Sequence, residues 1–315
     1  MRGAARLTGG LVGTRMRRFG NGFDSEMCMQ IRPYRLSQLS VGDLNLAGYS
    51  VAGEESVIIA PELDVAFDIG KCPREALTVN HVLLSHGHMD HVAGLPYYFA
   101  QRDFQGNEGG TALVPASLVD PLERLMSAWG AVEGHIPPHR FVGMVAGQDY
   151  ELRRGLLARA FGTNHLRGSL GYSVVDVRQK LKEEFLGLSG PEIVELKKKG
   201  VEITNRIDVP LVAFLGDTGP ANYSDLPHVA NAKALLIECT FFDDDHMRRA
   251  RAGKHIHVED LPGVLEGMAC ERIIIIHVTR RTNMASARKI LRKTLSKDVL
   301  ERITFLMSWR HIEED

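Results

Sequence analysis

The chain has 315 residues, of which 44% are hydrophobic and 24% are charged, and its formal net charge is −1. These values are ordinary for a globular domain, and the balanced charge gives no sign of a polyanionic or membrane-surface partner. No apolar run reaches the roughly 20 residues that span a bilayer, so we expect no membrane association. The cysteines form no C-x-x-C pair, which predicts reduced thiols and a cytoplasmic protein.

The N-terminal segment has an unusual composition. Residues 1–23 contain five arginines, many glycines and no acidic residue. Organelle transit peptides share this composition, so organelle targeting is one interpretation. The glycines disfavour the amphipathic helix that such peptides form. We therefore predict that residues 1–29 are a disordered or non-native tail and that one folded domain covers residues 30–315.

Short β-branched runs and helical segments alternate along the rest of the chain. Strands are predicted at residues 56–60, 65–69, 81–85, 112–114, 157–161, 170–177, 211–215, 234–238, 272–277 and 303–307. Helices are predicted at residues 116–127, 245–252, 258–269 and 284–296. No repeat or low-complexity linker divides the chain, so the pattern predicts a single α/β domain of packed sheets covered by helices.

A cluster of metal-ligand residues follows the apolar run 82–84. Three imidazoles and one carboxylate fall within six positions: His86, His88, Asp90 and His91. Neutral imidazole and carboxylate are ligands that zinc prefers, and catalytic zinc sites keep one position open for water. The alternative, a histidine-rich surface turn, requires this spacing to arise by chance.

Three further candidates stand at the ends of predicted strands. His165 follows the strand at 157–161, Asp217 lies in a Gly-Asp-Thr-Gly turn, and His277 follows four consecutive isoleucines. Each has an alternative role, as a turn residue, a cap or a partner of a backbone carbonyl. Together with the first cluster they make seven ligands, which favours a site for two metals because one zinc needs only three or four.

A pair of histidines precedes the helix predicted at 258–269. His255 and His257 could serve as ligands or as an acid–base group, or they could be solvated residues of a helix N-terminus. The residues alone leave these alternatives open.

These motifs, in this order, resemble the metallo-β-lactamase superfamily, which implies an αββα four-layer sandwich. Within it the chain is most similar to ribonuclease Z, the tRNA 3′ endonuclease family. The residues that carry this similarity are Phe67-Asp68-Ile69-Gly70, His165 with Ser169-Leu170-Gly171-Tyr172, Glu238-Cys239-Thr240-Phe241, His255 and His277-Val278-Thr279-Arg280-Arg281.

The resemblance implies a role for each candidate. One metal would be held by His86, His88 and His165, the other by Asp90, His91 and His277, and Asp217 would bridge them. His255 would protonate the leaving ribose oxygen, and Asp90, or Asp68 through a ligand, would steer a hydroxide that bridges the metals. The ions would be two Zn²⁺, with Mn²⁺ or Fe²⁺ as alternatives. A homodimer is also implied.

The chain departs from the ribonuclease Z pattern in the arm with which that family grips tRNA. Residues 178–208 read as a shortened arm-like insertion of mixed charge. Arg280 and Arg281 are candidates for binding a phosphate, and the basic residues 288–293 are either a second contact or a solvated helix face. We therefore predict a two-metal phosphodiesterase of ribonuclease Z type, acting on a tRNA precursor or a small phosphodiester. The alternative is a hydrolase of the same fold for a thioester, lactone or other ester.

Overall fold

The computed structural model describes residues 36–307, and the predicted tail at residues 1–29 lies outside them. The strands in these residues are β1 (Ser37–Val41), β2 (Leu44–Val51), β3 (Glu55–Ala60), β4 (Val65–Phe67), β5 (His81–Leu83), β6 (Thr111–Pro115), β7 (Arg140–Met144), β8 (Asp149–Arg153), β9 (Leu156–Gly162), β10 (Leu170–Leu181), β11 (Thr204–Phe214), β12 (Ala234–Glu238), β13 (Arg272–Ile276) and β14 (Ile303–Phe305). The α-helices are α1 (Met89–Val92), α2 (Leu95–Phe104), α3 (Val119–Glu133), α4 (Gly190–Lys198), α5 (Pro227–Ala230), α6 (Met247–Gly253), α7 (Leu261–Val264), α8 (Met284–Thr294) and α9 (Lys297–Arg302).

The strands form two seven-stranded sheets with matching organisation. The first has the order β1-β2-β3-β4-β5-β6-β7 and the second the order β14-β13-β12-β11-β10-β9-β8. In each sheet one part is antiparallel (β1 to β4, and β8 to β11) and the other part is parallel (β4 to β7, and β11 to β14). The parallel strands of both sheets supply the edge at which candidate ligands follow strand ends.

Three groups of buried apolar residues define the layers. The central group joins the two sheets, with Phe67 of β4 against Phe214 of β11 at a ring-centroid distance of 5.2 Å. A second group packs α2 and α3 on the first sheet, and a third packs α5, α7 and α8 on the second. Strands buried on both faces, such as β13 with its four isoleucines, are expected where helices cover the sheet. The predicted αββα sandwich in a single domain is confirmed.

All ten predicted strands are present, but the helix predicted at 258–269 is wrong in length. After a 3-10 turn, α7 ends at Val264, and Gly267 at φ +75° reverses the chain. The sequence reading also missed elements with few β-branched residues or with an early proline: β1, β2, β7, β8 and α2.

The predicted arm at 178–208 corresponds to the outer part of the β10–β11 hairpin. Residues 177–181 of β10 pair with β11 but not with β9, so this ribbon extends past the sheet, and α4 lies at its tip. Four of its seven cations form ion pairs with neighbouring acids: Arg178 with Asp176, Lys182 with Glu202, Lys198 with Glu195 and Arg206 with Asp208.

Two expectations from composition can be compared with the described residues. The three cysteines within them, Cys72, Cys239 and Cys270, are free thiols. None of the helices placed between residues 36 and 307 is long and apolar enough to cross a membrane.

Candidate metal centre

The candidate ligands come from both sheets and meet at one edge. His86 follows β5, and the short helix α1 carries Asp90 and His91. In the second sheet, Asp217 follows β11 and His277 follows β13. Because parallel strands end at the same edge, the fold gathers residues that are up to 191 positions apart, from His86 to His277.

The first cluster contains His86, His88, His165 and Asp217. Nδ1 of His88 lies 3.0 Å from Nε2 of His86 and 3.3 Å from Nε2 of His165. Oδ2 of Asp217 lies 3.7 Å from Nε2 of His86 and 4.0 Å from Nε2 of His165. These are the residues that the resemblance assigned to one metal and to the bridge.

The second cluster contains Asp90, His91 and His277. The Nε2 atoms of His91 and His277 lie 3.3 Å apart, and Oδ2 of Asp90 lies 3.6 and 3.5 Å from them. Asp217 reaches this cluster as well, with Oδ2 3.3 Å from Nε2 of His91 and Oδ1 3.3 Å from Nδ1 of His277. Asp217 therefore contacts both clusters through one carboxylate.

The hydrogen bonds of the imidazoles leave ligand nitrogens bare. Nδ1–H of His91 donates to Asp68 (2.6 Å), that of His165 to the Lys254 carbonyl (3.2 Å) and that of His277 to the Thr240 hydroxyl (3.1 Å). With the rings neutral, each of these Nε2 atoms carries a lone pair that points into a cluster, as in metal-binding histidines whose other nitrogen is held by a partner. Burial lowers the pKa of His91, but the Asp217 and Asp68 carboxylates outweigh burial and raise it well above its ordinary value, so a bound cation must displace the proton on Nε2.

The spacing of the bare nitrogens fits a divalent cation. Two nitrogens bound tetrahedrally at about 2.0–2.1 Å from zinc lie about 3.3 Å apart. Lone pairs facing one another at 3.0–3.3 Å repel unless a cation or a proton lies between them. The donor set is therefore chemically matched to metal binding.

Asp68 is a buried carboxyl behind the ligands. It accepts from the backbone N–H of Ser85 (2.7 Å), the Ser85 hydroxyl (2.8 Å) and His91, while the Ser85 hydroxyl oxygen lies 2.9 Å from Nδ1 of His86. Burial raises the pKa of Asp68, although the neighbouring His91 opposes this. The side chain is fully buried, so it acts on the site by orienting His91 and His86.

The two ligand carboxyls remain ionised. Burial alone would raise the pKa of Asp90, but the hydrogen bond that His277 donates when it is protonated and the charge of protonated His91 lower it below its usual value. Burial likewise opposes ionisation of Asp217, yet the charges of His277 and His91 hold its pKa well below the ordinary range. The backbone N–H of Gly53 adds a hydrogen bond of 2.8 Å to Asp90. The site thus presents two negative charges to a cation.

His255 lies beside both clusters and is paired with Glu238. Its Nδ1 is 2.8 Å from Oε1 of Glu238 and 4.0 Å from Oδ2 of Asp217, and its ring stacks on His277 with a centroid distance of 5.5 Å. Burial lowers the pKa of His255, but the charge and hydrogen bond of Glu238 outweigh burial and raise it to about 9. Nε2 has no hydrogen-bond partner among the described residues, so this nitrogen can donate a proton.

His257, by contrast, has a structural role. Its side chain is buried, with Nε2 3.1 Å from the Asp243 carbonyl and Nδ1 accepting from the backbone N–H of Glu259. It therefore caps the 3-10 turn before α7. The structure thus distinguishes the role of His257 from that of His255, whereas the sequence left both alternatives open.

Arg280 and Arg281 lie on the exposed loop after His277. The Arg280 guanidinium pairs with the carboxylate of Glu54, in the β2–β3 turn, and lies 3.4 Å from the Tyr49 hydroxyl. Arg281 is exposed, and no ion pair involves it within residues 36–307. The structure places both arginines beside the candidate ligand His277, with Arg280 already engaged by an acid.

Sequence reasoning missed the part that Glu238 plays. This carboxylate is fully buried at the end of β12 and accepts from the Thr218 backbone (2.9 Å), the Thr240 hydroxyl (2.5 Å) and His255. Through Thr240 it also reaches His277. An acid that ends an otherwise apolar strand was the available signal, because a buried charge needs fixed partners.

Comparisons with known proteins agree with this geometry. A family model for a beta-lactamase superfamily domain matches residues 66–278. The tRNase Z TRZ1 of Arabidopsis thaliana is 38% identical over 261 residues, covering 82% of this chain and 90% of that protein. The chloroplastic tRNase Z TRZ2 of the same plant is 34% identical over 259 residues, covering 80% and 72%.

A solved structure shows the same fold. The short form of human tRNase Z superposes with a TM-score of 0.52 at 18% identity, covering 74% of this chain and 91% of that one. With the metal-ligand clusters, the family model and the two plant relatives taken together, the chain belongs to the tRNase Z family of the β-lactamase superfamily.

Proposed function

We propose that this protein is a metal-dependent endonuclease of ribonuclease Z type that hydrolyses a phosphodiester bond in a tRNA precursor. The observation that carries the proposal is the Glu238–His255 pair beside the two ligand clusters. Hydrolysis of a phosphodiester needs a proton for the leaving ribose oxygen, whereas metal ligands alone supply none. The relatives named tRNase Z support the same class of substrate.

The residues that would hold two divalent ions, proposed as Zn²⁺, fall into two sets. His86, His88 and His165 would hold one ion, Asp90, His91 and His277 the other, and Asp217 both. When bound, such ions supply an acidified water as nucleophile and positive charge beside the scissile phosphate. Asp68 would keep His91 and His86 in their ligand orientation.

The chain's own residues handle the leaving group. As the water oxygen bonds to phosphorus, it passes a proton to the ionised carboxylate of Asp90. The bond from phosphorus to the ribose oxygen breaks, and that oxygen takes the proton from Nε2 of His255. Glu238 holds Nδ1–H of the same ring at 2.8 Å and stabilises the protonated form beforehand. With a pKa raised to about 9, His255 carries its proton at neutral pH.

The test uses the metal-loaded protein with two substrates. A precursor tRNA with a 3′ trailer reports on the biological reaction, and bis-p-nitrophenyl phosphate, which has a better leaving group, reports on hydrolysis as such. We expect cleavage at the trailer junction and a loss of about 10²- to 10⁴-fold in kcat for His255→Ala on the precursor. The small ester should lose less, because its leaving group needs no proton.

The matched control is His135→Ala. This histidine is exposed on the loop after α3 and pairs with Asp103. It should leave both activities unchanged. Hydrolysis of the small ester alone would mean a phosphodiesterase with another substrate, and activity only on thioesters or lactones would contradict the proposal.

The assembly and the compartment are proposed from the resemblance and the composition. We propose a homodimer in the cytoplasm, while a relative named chloroplastic makes an organelle the alternative. Light scattering should then give a mass near twice 34.9 kDa. A monomer in solution would contradict the homodimer, and fluorescence of a C-terminally tagged chain inside an organelle would contradict the compartment.

A further inference from the structure

Helix α8 carries a dense group of positive charges. In 11 residues it has four cations and no acid: Arg288, Lys289, Arg292 and Lys293. At 100° per residue they occupy an arc of about 140°. The buried residues Met284, Ala287 and Leu291 occupy the opposite side and pack on the second sheet. The helix therefore presents one continuous cationic face, the α8 face.

Among the residues that the structure describes, three of these four cations lack the ion pairs that four of the seven arm cations form. No ion pair within residues 36–307 involves Lys289, Arg292 or Lys293. On the arm, by contrast, Arg178 and Arg206 are each bound to a neighbouring aspartate. The whole chain has a net charge of only −1, so the positive electrostatic potential at the α8 face is a local feature of this helix.

The α8 face begins near the candidate metal centre. Strands β13 and β14 are parallel neighbours, so the helix that connects them must run antiparallel to both. It begins at Met284, shortly after His277, and Arg281 lies between them. Arg292 then lies about 12 Å further along the helix axis, since each residue rises about 1.5 Å. The cations thus lead away from the metal edge along the outer layer.

A cavity adjoins this row of cations. It has a volume of about 400 Å³ between α8, α9 and β14. Arg288 and Arg292 contribute positive charge to its wall, whereas Lys297 in the same wall forms an ion pair with Glu301 over 3.8 Å. The Arg288 guanidinium lies 5.7 Å from the centre of the Phe305 ring. A cationic wall over an apolar floor suits a phosphate group with an attached sugar.

We propose that the α8 face and its cavity bind the phosphate backbone of the RNA next to the bond that is cleaved. The proposal rests on the proposed function and names a surface of the same site. Lysine and arginine contacts to phosphates release counterions, so this binding must weaken as salt rises. The paired charges of the arm contribute less to such salt dependence.

The test is a triple variant, Lys289→Gln, Arg292→Gln and Lys293→Gln. Glutamine keeps the helix propensity and removes only the charge. We expect KM for precursor tRNA to rise at least tenfold at about 0.15 M salt, with kcat unchanged. The slope of log KM against log salt should fall by about 2 to 3, roughly one for each lost phosphate contact. Hydrolysis of bis-p-nitrophenyl phosphate, which has no RNA backbone, should not change.

A charge-matched pair of single variants sets the control. Arg292→Gln should raise KM severalfold, whereas Arg124→Gln on α3, in the outer layer of the other sheet, should not. An unchanged KM and salt slope in the triple variant would overturn the proposal. A triple variant that lost binding to anionic lipid vesicles but kept its affinity for tRNA would also overturn the proposal.

The outcome is separable from that of the proposed function. If the wild-type protein cleaves no precursor, the proposed function fails. Fluorescence anisotropy of labelled tRNA with the wild-type and triple-variant proteins still decides the α8 face, because equilibrium binding requires no cleavage. Equal affinities over a salt series would then reject it.

Discussion

One buried carboxylate orients two candidate ligands at once. Asp68 accepts from His91 directly and, through the Ser85 hydroxyl, holds His86. Its backbone has φ +54°, a conformation that costs energy for an aspartate and is retained here where the side chain serves the site. His277 shows the same left-handed backbone at φ +57°. Two of the residues around the candidate metal centre are therefore strained.

Replacing Asp68 should weaken metal binding. In Asp68→Asn the side-chain amide would place its N–H groups against the Ser85 and His91 donors. The imidazoles of His91 and, through Ser85, of His86 would then lose their orientation. We expect metal affinity to fall about 10- to 100-fold, as for other partners of ligand histidines. Competition with a chromophoric chelator measures this. An unchanged metal affinity would show that Asp68 does not position the ligands. The control is Asp64→Asn, because Asp64 is distant from the ligands and is paired with Asn80.

The Glu54–Arg280 pair predicts a second effect at this scale. A substrate phosphate that binds Arg280 must compete with the Glu54 carboxylate. In Glu54→Gln that competitor and its repulsion of phosphate are removed. An exposed pair is worth about 1 kcal/mol or less, so KM for precursor tRNA should fall by up to about fivefold. Steady-state kinetics measure this effect. Arg280→Gln should instead raise KM for precursor tRNA. A rise in KM for both variants would contradict the competition and would mean that Glu54 helps to hold Arg280 in place.

At the scale of elements, the turn after β4 packs against α1 with no room for a side chain. A Cβ at Gly70 would lie 1.9 Å from the carbonyl oxygen of Asp90 and 2.9 Å from the backbone nitrogen of Ser56. The backbone N–H of Ile69 donates to the His91 carbonyl over 2.7 Å. The turn thus fixes the helix that carries two candidate ligands.

Gly70→Ala should therefore damage stability and metal binding together. The added methyl must push α1 away from the turn, which costs about 1–3 kcal/mol, as overpacking does in other cores. Urea unfolding and metal content after dialysis measure the two effects. Gly263→Ala, where no atom lies within 4 Å of the added methyl, should be neutral or slightly stabilising. Full metal content in Gly70→Ala would contradict this account of the turn.

At the scale of the molecule, the candidate metal centre joins the two sheets. His86 and His91 follow the first sheet, whereas Asp217 and His277 follow the second. The central apolar layer holds the sheets together along their faces, and bound ions would hold them together at the edge. Metal binding and global stability should accordingly be linked.

Removing metal should lower the thermal stability of the whole domain. At a free metal concentration 1,000 times Kd, binding to the native state alone adds about 4 kcal/mol. Treatment with a chelator should therefore lower Tm by several degrees, and added zinc should restore it. Calorimetry measures this, with His88→Ala expected to respond much less. A Tm that does not depend on metal would exclude a stabilising centre between the sheets.

The candidate ligands and most of the framework could be predicted from the residues. His86, His88, Asp90 and His91 stand out because polar ligands rarely follow a buried strand so closely, and the β-branched runs located ten strands. Edge strands such as β8, with the sequence Asp-Tyr-Glu-Leu-Arg, were not predicted, because most of their side chains are exposed and polar and give no continuous hydrophobic run.

The sequence by itself thus determined the candidate ligands and the family to which they point. Only the tertiary structure decided how they are used: that His255 rather than His257 faces the clusters, that Glu238 holds it, and that Glu54 occupies Arg280. The reason is distance along the chain. Periodicity and propensity act over a few residues, whereas the Arg280–Glu54 contact joins positions 226 apart, and such pairs exist only after the sheets have packed.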